Sequence, residues 1–151
     1  MFIKRSKSTS SPANPVRKGF IILFLPFCQR RISSGLKMAR LSNGTSSKAC
    51  FKLFIAGTIP DRLKGLMFRC DLPDDCALLI TGCNCVHSMF MLFSIDAIFL
   101  NSSLEVIAVK HLKPFRFSMP VKRACSVLEI KYGLSSRFDI RPGDRVVIDE
   151  Q

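Results

Sequence analysis

The sequence predicts a mainly β domain, a small antiparallel sandwich or barrel with one or two short helices. Three observations carry that expectation. Short runs of β-branched and aromatic residues recur along the chain, turn residues separate them, and the strands lie too close together for helical crossovers, so pairing is expected to be mainly antiparallel. The chain has 151 residues, enough for one core, and a domain of that size buries roughly 70% of its unfolded surface.

Taken in order, Cys50 to Ala56 is short, apolar and bounded by Gly57, which reads as a strand. A helix start follows. Thr58 can cap it, Pro60 fits the first turn where a missing N–H costs nothing, and Asp61 sits at the positive end of the dipole. Gly65 stops this helix early. Ala77 to Thr81, His87 to Leu92, Asp96 to Leu100 and Glu105 to His111 are strand-length runs, with a turn at Asn101, Ser102 and Ser103. Ala124 to Lys131 and Arg145 to Asp149 complete the set. Gly133 to Phe138 forms one helical turn, and Arg141, Pro142, Gly143 and Asp144 turn into the final strand.

The formal charge of +12 is unevenly placed. Residues 1–48 carry ten basic side chains and no acidic one, whereas from Ala49 onward 13 basic residues meet 11 acidic ones. The expectation is therefore a basic leader over 1–48 and a single β domain over 49–151. Ser6, Ser8, Thr9, Ser10 and Ser11 give the leader a composition that builds no core. Met38 reads as the true start, with the preceding residues as upstream sequence or an extension. Export and organellar transit remain open alternatives: Phe20 to Cys28 resembles the apolar region of a signal peptide, but Pro26 interrupts it and Arg30 and Arg31 stand where a cleavage site needs small residues. The longest apolar run, Gly19 to Cys28, is shorter than the ~20 residues that cross a bilayer, so no transmembrane helix is expected. Seven cysteines, an odd number, fit reduced thiols and a cytoplasmic location better than a closed disulfide framework.

Four blocks of the body follow one another in a recognisable order: GLMFR at Gly65 to Arg69, HSMFMLFSIDAIFL at His87 to Leu100, LKP at Leu112 to Pro114, and SVLEI with PGDRV between Ser126 and Val146. From about Thr58 to the end the chain thereby resembles the domain-of-unknown-function 192 family, also known as uncharacterised protein family 0127. It departs from many relatives at Leu92 and Ser94, where they carry a basic or polar residue and a proline. The resemblance implies a compact, mainly β domain of jelly-roll type with no agreed activity. No catalytic residue is carried over from it.

Cys83, Cys85 and His87 form the most metal-like cluster, because thiolates and imidazole are zinc ligands. On a straight strand rising ~3.4 Å per residue, however, the first and last Cα atoms stand roughly 13 Å apart, too far for one ion without a bend. The plain reading is of buried or incidental thiols, and no metal is assigned. A thiol nucleophile at Cys85 with His87 beside it is the enzymatic alternative, although no orienting carboxylate or oxyanion site is signalled. Asp96 and Glu129 are candidate acids whose plainer role is to partner Arg69 or turn amides. His87, Asp96 and Arg69 are the candidate ligand-binding residues, the few polar groups of a shallow apolar pocket. Lys110, Lys113, Arg116, Lys122 and Arg123, with Phe115 and Phe117, form a basic stretch without a recognition motif. It reads as a solvated loop with buried aromatics, so nucleic acid is not the expected partner. The chain as a whole reads as an uncharacterised, non-catalytic ligand-binding or accessory module of unknown cofactor and partners, with a small molecule as the candidate ligand. A metal-dependent or thiol enzyme using Cys83, Cys85 and His87 is the alternative.

Overall fold

The computed structural model describes residues 37–44 and 46–150. The leader readings over residues 1–36 lie outside the described residues. Seven strands and two short helices follow in the order β1 (Lys37–Ser42), β2 (Ser47–Ala56), α1 (Ile59–Lys64), β3 (Cys76–Thr81), β4 (Ile95–Leu100), β5 (Val106–Leu112), β6 (Ser126–Lys131), α2 (Leu134–Arg137) and β7 (Arg145–Glu150).

All seven strands join one curled mixed sheet in the order β5-β4-β6-β3-β2-β1-β7, a half-barrel rather than two facing sheets. Five of the six pairings are antiparallel, as the short intervals require. The exception is β2 against β3, which run parallel because α1 and the following turns give the chain room to cross over. At one end the two edge strands meet. Glu105 bridges Arg145, and the Val106 amide donates to the Asp144 carbonyl at 2.7 Å.

β1 corrects the expected leader boundary at residue 48. Ala39 and Leu41 point into the core while Arg40 between them is exposed, the alternation of a half-buried strand. The expected strand from His87 to Leu92 is instead a loop, in which His87 forms an isolated β-bridge with Phe117 and Ser88 and Phe90 make further backbone hydrogen bonds. Phe90 there adopts a left-handed φ of 57°, which a continuous strand excludes. The α1 expectations are met: Thr58 caps the helix, accepting from the Asp61 amide, and Gly65 ends it.

Every residue of β4 is buried, and so are all but the last of β6, because both faces of the sheet are covered. The concave face holds Leu41, Phe51, Ile98, Leu100, Leu128 and Ile130, closed by Leu134 of α2. On the other face Leu66, Leu72, Ile80, Val86, Met91 and Phe99 come together, and several of them belong to the loops that follow α1 and β3. Among the described residues no helix is long and apolar enough to cross a membrane.

Candidate functional site

The convex cover has an opening. A pocket of about 310 Å³ lies between α1, the turn after it, the 83–87 loop and the central strands β3 and β6. Ile59, Leu63, Leu66, Met67, Ile80 and Val86 make most of it apolar, and its polar groups are Arg62, Lys64, Cys83, Cys85, His87 and Glu129.

Glu129 comes from the middle of β6. Its cross-strand partners are Leu78 and Ala97, so it shares the convex face with them. It is 1% exposed, and burial pushes its carboxyl up to about 8. Its Oε2 has no hydrogen-bond partner among the described residues. Arg62 reaches in from α1, where Nη1 donates to the Gly82 carbonyl at 3.2 Å and the buried Nε has no partner among the described residues. Gly82 is a conformational requirement here, with φ at +68° and a hypothetical Cβ only 2.8 Å from Arg62 Nη1.

Cys83 donates to the Ile80 carbonyl at 3.5 Å. Burial, then the neighbouring Glu129 and Cys85 charges, push its thiol up to about 11 against the opposing pull of Arg62, so it stays protonated near neutral pH. Cys85 is exposed at the pocket wall. His87 is half-buried there, its Nδ1 accepting a long 3.4 Å bond from the Met89 amide and its ring 6.0 Å from Phe117. Among the described residues no three His, Cys, Asp or Glu side chains converge as a metal-binding group.

The sequence-derived trio of His87, Asp96 and Arg69 is not brought together. Asp96 pairs with Ile130 on β6 while Ala97 pairs with Glu129, so Asp96 and Glu129 project from opposite faces and form no acid pair. Asp96 does partner turn amides. Its Oδ2 accepts from the Gly133 and Ser135 amides and the Ser135 hydroxyl, and its Oδ1 lies 2.6 Å from His111 Nδ1. Arg69 sits in the turn after α1 and is not part of the pocket lining. Two site residues were missed or misassigned from sequence. Arg62 had no motif to mark it, and the signal for Glu129 was a lone charge inside the apolar run VLEI.

Phe115 and Phe117 also differ from expectation, being exposed rather than buried. Their loop is tied at its base by Ser88, whose hydroxyl donates to the Lys113 carbonyl and accepts from the Arg116 amide, leaving the rings outside. Phe115 packs edge-on against Phe90, which stacks on Phe68.

Comparison with known proteins agrees with this architecture. The model of the DUF192 family, described as "Uncharacterized ACR", matches residues 40–148, beginning inside β1. A UPF0127 protein of Pyrococcus furiosus is 41% identical over 61 residues, covering 40% of this chain and 53% of the relative. Another from Thermococcus kodakarensis is 32% identical over 109 residues, 69% of each chain. The chain thus spans about half the length of the first of these curated relatives. A crystal structure of a protein of unknown function from Novosphingobium aromaticivorans superposes with a TM-score of 0.66 at 27% identity, over 73% of this chain and 83% of that one.

Proposed function

Since this chain belongs to the DUF192 family, described only as uncharacterized, its role has to be argued from its own site, and we propose that it binds a small molecule in the pocket over β6. One observation carries the reading. Two buried polar atoms, Glu129 Oε2 and Arg62 Nε, lack hydrogen-bond partners among the described residues and belong to residues lining the same apolar pocket. Buried polar groups in native proteins are almost always satisfied, and a molecule in this pocket is the partner we assign to them. The volume lies at the low end of the ~300–1,000 Å³ typical of ligand sites.

In this reading the domain is a non-catalytic binding or accessory module. The thiol enzyme has less support, because the Cys83 thiol is turned to the Ile80 carbonyl and His87 Nδ1, the neighbour that would serve Cys85, accepts from the Met89 amide. Cytoplasmic residence is part of the proposal, supported by the unbridged cysteines of the described residues.

Native mass spectrometry of the full chain, purified without added metal or chelator, tests the proposal. A defined mass excess that disappears in Met67→Trp, which fills the pocket, is the expected result. A bare mass from every preparation, with no thermal shift from a panel of small amphiphiles, would count against it.

A further inference from the structure

We infer that the pocket takes a small monocarboxylate with an apolar body, its carboxylate seated between Arg62 and Glu129 at the floor. The inference rests on the pocket-binding reading above and assigns a chemical class to the ligand.

The pocket is graded from bottom to top. Glu129 rises from a central strand and is 1% exposed, whereas Ile59 and Leu63, one helical turn apart on α1, are 68% and 63% exposed at the rim. Between them the walls are Leu66, Met67, Ile80 and Val86. An amphiphile therefore enters head first, its polar group meeting Arg62 and Glu129 and its apolar part lying along the walls.

The free groups at the floor are donors. Arginine Nε carries one N–H and accepts nothing. The Glu129 carboxyl, pushed up to about 8 by burial, is mostly protonated near pH 7 and presents an O–H. The Cys83 proton is already turned to the Ile80 carbonyl and does not compete. Two donors at the floor, one of them on the Arg62 cation, match a carboxylate, which has two acceptor oxygens and one negative charge. A short, charge-assisted O–H···O⁻ bond to Glu129 would be among the stronger hydrogen bonds available. A ligand ammonium would bring more donors toward Arg62, with Lys64 also in the lining. A phosphate would bring more charge and more acceptors than the two free donors answer.

Calorimetry on the full chain near pH 7 with octanoate, octanamide and octylamine tests the inference, since the three share one chain length and differ in the head. Octanoate is expected to bind about tenfold or more tighter than octanamide, with octylamine weakest. Arg62→Gln should cost octanoate about tenfold and leave octanamide within about twofold, and Arg62→Lys should fall between the two. Equal affinity for all three, or a preference for octylamine, overturns the carboxylate assignment while leaving a small-molecule pocket in place. Failure of all three to bind a protein that still copurifies with a small molecule also overturns the ligand class alone. Failure to bind together with a bare native mass overturns the pocket reading as well.

Discussion

Lys48 Nζ lies 2.8 Å from Asp144 Oδ2 and 2.8 Å from the Asp139 carbonyl, joining the second strand to the turn that launches the last. The two side chains are only 15% and 5% exposed, so this pair is shielded from solvent. Lys48→Met would leave Asp144 with the Arg141 amide as a remaining partner. A loss of about 2 kcal/mol is expected, below the cost of breaking a fully buried pair because Lys48 keeps some contact with water. Urea unfolding of the variant measures it, and a change under about 0.5 kcal/mol would mean the pair behaves like an exposed one.

Ser88 is expected to matter more than its size suggests. It is fully buried, donates to the Lys113 carbonyl at 2.6 Å and accepts from the Arg116 amide at 3.0 Å, fastening two long loops to each other. Ser88→Ala strands both backbone groups and should cost about 2–3 kcal/mol. Thermal melts give the loss, and hydrogen exchange should show faster exchange at Arg116 than in the parent. A variant with unchanged protection there would show that the loops are held by their apolar contacts.

The pair formed by Lys48, with that of Arg40 and Asp149 at 2.7 Å, also shows where sequence reading stopped. Both cations belong to a run of basic residues with no acid nearby in sequence, and their partners lie about a hundred residues away. Charge counting along the chain cannot see such pairs, so β1 was merged with the leader. The opposite error occurred at His87 to Leu92, where a run of apolar residues has strand composition but serves as a loop covering the convex face. The local signals succeeded. Thr58, Pro60 and Gly65 delimit α1, and Asp144 closes the turn before β7. At the site, Cys83, Cys85 and His87 do line one pocket, but the buried atoms left without partners among the described residues belong to Glu129 and Arg62. That both line one pocket depends on β6 lying beside β3 and on α1 standing over the same face, which no local spacing encodes.

Asp96 separates a structural carboxylate from a ligand-binding one. It accepts from two amides and a hydroxyl at the start of α2 and meets His111 Nδ1. Asp96→Ala leaves those donors buried and unmet and should cost at least about 3 kcal/mol. Asp96→Asn retains an acceptor oxygen for the α2 amides and can face His111 with its amide, for about 1 kcal/mol. Octanoate affinity should stay within about twofold in the Asn variant, because Asp96 projects from the face opposite the pocket. A large affinity loss with little loss of stability would assign Asp96 to the ligand.

Glu129 should make the protein lose stability as pH rises. Its folded carboxyl is pushed from 4.5 up to about 8 by burial, so in the interval between these values the folded chain holds a proton that the unfolded chain has released. The stabilisation is complete below the lower value, declines through the interval and levels off above the upper one. With each unit worth ~1.4 kcal/mol, the full decline is on the order of 5 kcal/mol. Glu129→Gln keeps the size and polarity of the side chain without the titration. The two proteins should therefore be close in stability at about pH 5, and the Gln variant should be more stable by a few kcal/mol at about pH 9. Urea unfolding of both at each pH isolates this one group, since the other titrations are common to the pair and cancel in the difference. A difference that stays constant between the two pH values would mean that the carboxyl ionises in the folded chain as easily as in water, and Glu129 would then be no neutral donor to a ligand.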